Sequence, residues 1–187
     1  MSVTAANLVL GPGKMYTGAF GATEPADSAV NTAPAASAWT DIGGTMGGLT
    51  LEVDQTYTEL DVDQIVDSVG RRLTKREMSV STALAEPTLA NLSLVLNGGT
   101  SATGSGYATY DPLTTTSATQ PNYIAIIVDG WAPGGAFNRR AIARKCLSTA
   151  KTSFLYAKDK QDVFDVTFNL HYVSNSITPI HWVDQTS

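Results

Sequence analysis

The chain has 187 residues, 43% of them hydrophobic and 16% charged, which gives one domain enough apolar material for a core and excludes wholesale disorder. Its formal net charge of −5 is unevenly spread: residues 1–70 hold nine acids and the single base Lys14, for −8, whereas residues 71–187 hold eight acids and eleven bases, for +3. The lack of a strongly basic stripe excludes tight gripping of nucleic-acid phosphates, no run reaches the roughly 20 apolar residues that span a bilayer, and the lone Cys146 excludes an intrachain disulfide.

Residues 1–10 carry no basic region ahead of their short apolar patch, so no secretory signal is expected, and a soluble protein assembled in the cytoplasm is the simplest reading. Residues 7–20 predict a short strand, a Gly11-Pro12-Gly13 turn and a second strand from Lys14 to Phe20. The Ala-, Pro-, Ser- and Thr-rich stretch 21–38 predicts a long surface loop, followed by a brief strand from Trp39 to Ile42. Leu49, Leu51 and Val53 alternate with Thr50, Glu52 and Asp54, the period of a half-buried strand. Past Gln55 the parity fails, which points to a bend, bulge or turn at 55–58. Residues 62–71 are a connection, after which Met78, Val80, Thr82 and Leu84 face one way and Lys75, Glu77, Ser79 and Ser81 the other. These stretches predict an extended hairpin, with residues 54–71 as a long projecting loop.

One helix is expected over 87–97. Pro87 suits its first position, Leu89, Leu92, Val95 and Leu96 form its apolar stripe, and Asn97-Gly98-Gly99 stops it. Residues 98–121 read as another loop, and Tyr123 to Val128 as a strand buried on both faces. Residues 137–157 fit helix or strand, with strand favoured by the flanking elements. Phe164, Val166, Phe168, Leu170 and Tyr172 alternate without a break with Asp165, Thr167, Asn169 and His171. The fold class is therefore mainly β: a sandwich or barrel, one flanking helix and a long hairpin loop, in a single domain spanning 1–187.

The usual chemical constellations are missing. Gly11-Pro12-Gly13-Lys14-Met15 lacks the spacing and the hydroxyl residue of a phosphate loop. Asp61-Val62-Asp63 opens like a calcium loop, but Val66 stands where glycine is needed and Arg72 where glutamate is needed. His171 and His181 have no Cys or His partner at metal spacing. Nothing around Cys146 marks an activated nucleophile for His171 to serve. Asn91-Leu92-Ser93 is a glycosylation sequon that falls inside the predicted helix. No catalytic residue, cofactor or metal is expected, and the chain does not read as an enzyme.

Two charge groups remain. Glu52, Asp54, Glu59, Asp61, Asp63 and Asp67 run without an intervening base into Arg71, Arg72, Lys75 and Arg76. Such a two-signed projection suits docking on a neighbouring subunit, where complementary charge fixes register more than it adds affinity.

The segment Leu8-Val9-Leu10-Gly11-Pro12-Gly13-Lys14 through Gly21 resembles the opening of major tail tube proteins of long-tailed, siphovirus-type bacteriophages. So does Trp39-Thr40-Asp41-Ile42-Gly43-Gly44-Thr45 followed by Gly47-Gly48-Leu49-Thr50-Leu51. Asp61-Val62-Asp63-Gln64, Arg72 through Leu84, and Glu86-Pro87-Thr88-Leu89-Ala90-Asn91-Leu92 are similar to that family's hairpin, loop and helix, and Phe164 to Tyr172 to its closing strand. The resemblance is one of order across most of the chain. It implies a fold like the tubes of contractile phages and of type VI secretion, and a virion subunit assembled in the host cytoplasm into stacked, usually hexameric, rings. It also implies tail-tip, tape-measure and tail-terminator proteins as partners, and double-stranded DNA sliding through the lumen without specific binding, with no membrane involved.

Within that picture Glu59, Asp61, Asp63, Asp67, Arg71 and Arg72 are the candidate inter-subunit contacts, and Glu52, Asp54 and Glu77 the candidate lumen-facing residues. Lys75 shares the face of Glu77 and works against a purely acidic lining. Two alternatives stay open: a tube protein of a contractile tail or secretion system, and a secreted β-sandwich module for carbohydrate. Trp39, Trp131 and Trp182 are too scattered for the aromatic platform that the second would show.

Overall fold

The structure is a computed structural model that describes residues 3–114, 118, 120–134 and 136–186. Strand accounts for 46% and helix for 7%, which makes the fold mainly β, as expected. The strands are β1 (Lys14–Ala19), β2 (Thr40–Asp41), β3 (Thr45–Leu60), β4 (Gly70–Leu84), β5 (Gly99–Gly104), β6 (Tyr107–Pro112), β7 (Ile124–Trp131), β8 (Asn138–Ser148), β9 (Phe164–Leu170) and β10 (Ile180–Asp184); among the described residues they are joined by one α-helix, α1 (Leu89–Val95), and two short 3-10 turns, Ala5–Asn7 and Asp27–Ala29. Among the described residues no helix is long and apolar enough to cross a membrane.

Eight strands form one sheet in the order β2-β1-β7-β8-β9-β4-β3, with β10 paired to β8, and all the pairings are antiparallel. One edge of β8 is shared end to end: β10 takes residues 139–143 and β9 takes 146–148. A Cβ placed on Gly13, just before β1, would lie 3.8 Å from Leu49 Cβ on β3. The two ends of the strand order therefore approach each other, and the sheet is rolled towards a barrel.

The inner face of the roll carries the main core. Met15, Val80, Leu84, Ile126, Cys146, Phe164 and Phe168 are buried there, and α1 plugs it with Val95. On the outer face of β1, β7 and β8, Tyr16, Ala125, Ile127 and Ile142 are covered by Trp39, whose Nε1 donates to Thr23 O at 2.9 Å. The 21–38 stretch is irregular as expected, but it is fastened down: Val30 is buried, and the Arg140 guanidinium donates to Ala29 O at 3.2 Å and Thr32 O at 2.8 Å.

Several sequence expectations are corrected. Among the described residues, 8–13 have no strand partner, and the first strand begins at Lys14. The 98–121 stretch is more than a loop, because β5 and β6 pair as a separate two-stranded sheet. Helix α1 starts later than Pro87 suggested. Thr88 is the cap, accepting from Asn91 N at 3.2 Å, and Pro87 precedes it. The C-terminal end is a left-handed Asn97 at φ 59°, with Asn97 N donating to Leu94 O at 3.3 Å and Gly98 N to Ser93 O at 2.8 Å, the Schellman pattern. Sequon residue Asn91 is buried, donating to Ile42 O at 3.1 Å and Glu86 O at 2.8 Å.

The ambiguous stretch 137–157 resolves as β8 only as far as Ser148, and residues 149–157 leave the sheet as an irregular segment. Ile124 pairs with Cys146 and Ile126 with Ala143, so three steps on β8 oppose two on β7. That bulge brings Ala143 and Cys146 to one face at a helix-like spacing of three.

Candidate functional site

The β3–β4 hairpin dominates the exposed surface. The register shifts between Thr56 and Tyr57, opposite Lys75 and Leu73. The extra residue is therefore Thr74 on β4, whose Oγ1 donates to Thr56 O at 3.1 Å. The sequence placed an irregularity at 55–58 on β3; the structure puts the added residue on the facing strand. The apolar alternation fails there because the arms have left the body and neither face is buried. Tyr57 is 51% exposed and Leu60, three residues on, 48%.

Residues 54–60 and 70–77 are the paired arms, and the unpaired turn is 61–69, closed by Val69 N donating to Leu60 O at 3.1 Å. Asp61, Asp63 and Asp67 all lie in this turn, exposed, beside exposed Val62, Ile65, Val66 and Val69. None of the three acids has an ion-pair partner among the described residues. Glu59 and Arg71 face each other across the ladder and pair at 2.6 Å. Both are well exposed, so the pair contributes about 0–1 kcal/mol at most. Arg72 stands opposite Thr58 and has no acidic partner among the described residues.

Glu52, Asp54 and Glu77 do come together. Asp54 is the ladder partner of Glu77, and Glu52 of Ser79, so the three carboxylates share the face turned away from the core. Ser79 in turn pairs with Asn169, which carries this polar face onto β9. The result is a depression of about 530 Å³ lined by Glu52, Asp54, Lys75, Arg76, Glu77 and His171, among others. Lys75 Nζ sits 2.8 Å from Glu77 Oε1, and Glu52 and Asp54 have no ion-pair partner among the described residues. The lining is therefore mixed in sign, with two free carboxylates at one side.

His171 sits on the polar face, as its strand position suggested, but it is half-buried rather than exposed. Its ring stands edge-on to Tyr123 at 5.3 Å, and Lys145 Nζ lies 4.4 Å from the Tyr123 centroid. His181 instead meets Asp27 at 3.1 Å. The two histidines thus lie apart, and no cluster of three or more His, Cys, Asp or Glu able to hold a metal occurs among the described residues.

Cys146 is fully buried, and burial pushes its thiol up to about 12. A thiol so protonated is a poor nucleophile. Two ion pairs that the sequence did not announce hold the other end of the body. Arg144 pairs with Glu24 at 2.5 Å and Arg139 with Asp184 at 2.6 Å. Hydrogen bonding to these arginines holds the Glu24 and Asp184 carboxyls below the usual range. No signal in the sequence links 24 to 144, because the pairing depends on how the 21–38 stretch folds back over the sheet.

The arrangement offers exposed strand edges, a projecting two-signed hairpin and a carboxylate-bearing polar face, all features of a surface made for contact. A search of curated proteins finds no matching relative. The family described as phage tail tube protein matches residues 3–187, so the chain belongs to the phage tail tube protein family and is a structural subunit of a viral tail tube.

Proposed function

We propose that copies of this chain close into rings, six to a ring, that stack into the tube of a siphovirus-type tail and conduct the genome during ejection. The family implies self-assembly into a tube. The ring reading is carried by the strand order. β3 is the last strand of the sheet, so one side of a 16-residue strand has no partner strand among the described residues. The outer side of β10 is likewise without one. Long free edges are templates for pairing with another chain, and closure into a ring uses them up.

In the assembled tube Glu52, Asp54 and Glu77 face the bore. The unpaired carboxylates of Glu52 and Asp54 repel phosphate there, so the duplex slides without being held. Glu59, Asp61, Asp63, Asp67, Arg71 and Arg72 belong to contacts between subunits. The tail tip nucleates assembly in the host cytoplasm, a tape-measure protein sets the length and a terminator ends it. The subunit itself carries out no catalysis. Sizing at rising concentration with negative-stain microscopy is the test: rings and tubes with a hollow bore are expected, and a compact monomer at every concentration would refute the reading.

A further inference from the structure

Two exposed surfaces of opposite charge lie at opposite ends of the same strand. The first is the 61–69 turn, which carries Asp61, Asp63 and Asp67. The whole stretch 53–70 contains no base. Its apolar side chains are open to solvent, with Ile65 55% exposed and Val66 fully so.

The second surface is the segment 151–160, between β8 and β9. It carries Lys151, Lys158 and Lys160 against the single acid Asp159, and none of the three lysines has an ion-pair partner among the described residues. It too exposes apolar side chains: Phe154, Leu155 and, most of all, Tyr156 at 90%. Clusters of this kind on both surfaces are unusual on a chain that works alone.

The topology keeps the two apart. The turn leads into Gly70, the start of β4. The 151–160 segment leads into Phe164, whose ladder partner is Leu84, the end of β4, and Gln161 Nε2 donates to Ala85 O at 3.1 Å. The 15 residues of β4, at about 3.3 Å each, separate the surfaces by roughly 50 Å. The acidic turn therefore cannot fold back onto the lysines of its own chain.

We propose that the acidic turn of one copy docks on the 151–160 segment of a second copy in the next ring, with Asp61, Asp63 and Asp67 meeting Lys151, Lys158 and Lys160 and the exposed side chains of each covering the other. This rests on the stacked-tube reading above. A contact between different surfaces at opposite ends of a molecule does not close on itself, so it propagates a filament. The charges set register and reject mispaired copies, and the apolar side chains supply the burial.

The test is charge reversal read by negative-stain microscopy and sedimentation. One variant carries Asp61→Lys, Asp63→Lys and Asp67→Lys; a second carries Lys151→Glu, Lys158→Glu and Lys160→Glu. Each alone should lose tubes, stopping at monomers or single rings with an unchanged thermal midpoint. Mixing the two, or combining all six changes in one chain, should bring tubes back. Tubes from either triple variant alone, or none from both the mixture and the six-fold variant, would overturn the docking. A Val66→Cys, Tyr156→Cys double variant gives an independent readout. Oxidised tubes should run as a ladder of covalent oligomers, and a lone monomer band from such tubes also overturns the inference. Wild-type protein that never polymerises would instead sink the tube reading itself.

Discussion

Arg140 and Asp129 are ladder partners on β8 and β7, and the guanidinium grips the carboxylate with hydrogen bonds of 2.7 and 2.6 Å. The arginine side chain is only 2% exposed, so it is one of the few charges in the body taken out of water. Its remaining donors reach Ala29 and Thr32, which makes the pair the rivet that fastens the 21–38 stretch to the sheet.

Breaking this pair should be costly. Asp129→Asn leaves a buried guanidinium without its counter-charge, and a loss of about 3–5 kcal/mol is expected. Denaturant unfolding checks it. Glu59→Gln, at the exposed pair on the hairpin arm, is the control and should change stability by less than about 1 kcal/mol. Equal effects at the two sites would contradict the burial argument.

Acid should loosen the same region. Glu24 and Asp184 are both depressed when folded, by hydrogen bonds to Arg144 and Arg139. A depressed carboxyl contributes stability that is present above its unfolded value, near about 4, and is lost as pH falls through the lower folded value. The unfolding midpoint should therefore drop below about pH 4, and a Glu24→Gln, Asp184→Asn variant should show a shallower acid limb. An acid limb identical to wild type would remove these pairs from the account.

Much of this was legible in the sequence, because long alternating runs report burial directly. The core-facing positions of β4 and β9, from Met78 to Leu84 and from Phe164 to Phe168, follow from period two alone. The legible part ends where burial stops deciding the pattern. Residues 54–60 lie on arms clear of the body, so their alternation has no core to answer to. β5 and β6 are exposed and rich in Gly, Ser and Thr, so they look like loop. β8 mimics a helix because its bulge adds a residue. At the candidate site, period two placed Glu52, Asp54 and Glu77 on the polar face. It gave no hint that 151–160 is exposed, since that depends on where the chain leaves β8.

The hairpin turn should be dispensable for folding. Replacing residues 61–69 by a two-residue Asn-Gly turn retains the paired arms and removes no core side chain. An unchanged thermal midpoint with complete loss of tubes is expected. Normal tubes from this variant would end any role for the turn in assembly.

The proposed placement of Glu52 and Asp54 on the bore can be tested apart from assembly. Glu52→Lys with Asp54→Lys should give tails of normal length, because neither residue lies in the turn, while genome ejection slows as cations meet the phosphates. Unchanged ejection kinetics in a single-particle release assay would take both residues off the lumenal face.

Cys146 should resist alkylation in the folded protein at pH 8, with its thiol buried and held at about 12, and react promptly in denaturant. Rapid labelling under native conditions would show that the core around Phe164 and Phe168 opens more readily than its packing implies.

The side chain of Asn97 has a consequence for how the fold comes apart. Its amide both donates to Ser148 O and accepts from Ser148 N, each at 2.9 Å, which imitates one rung of a ladder at the last residue of β8. The conformation that aims this amide belongs to the helix cap. When the seven-residue α1 frays, the Ser148 N–H and C=O lose these two bonds at the same moment, and only the β9 side of the strand end stays paired. Hydrogen exchange should accordingly show the end of β8 opening in step with the helix rather than with the slow centre of its own strand.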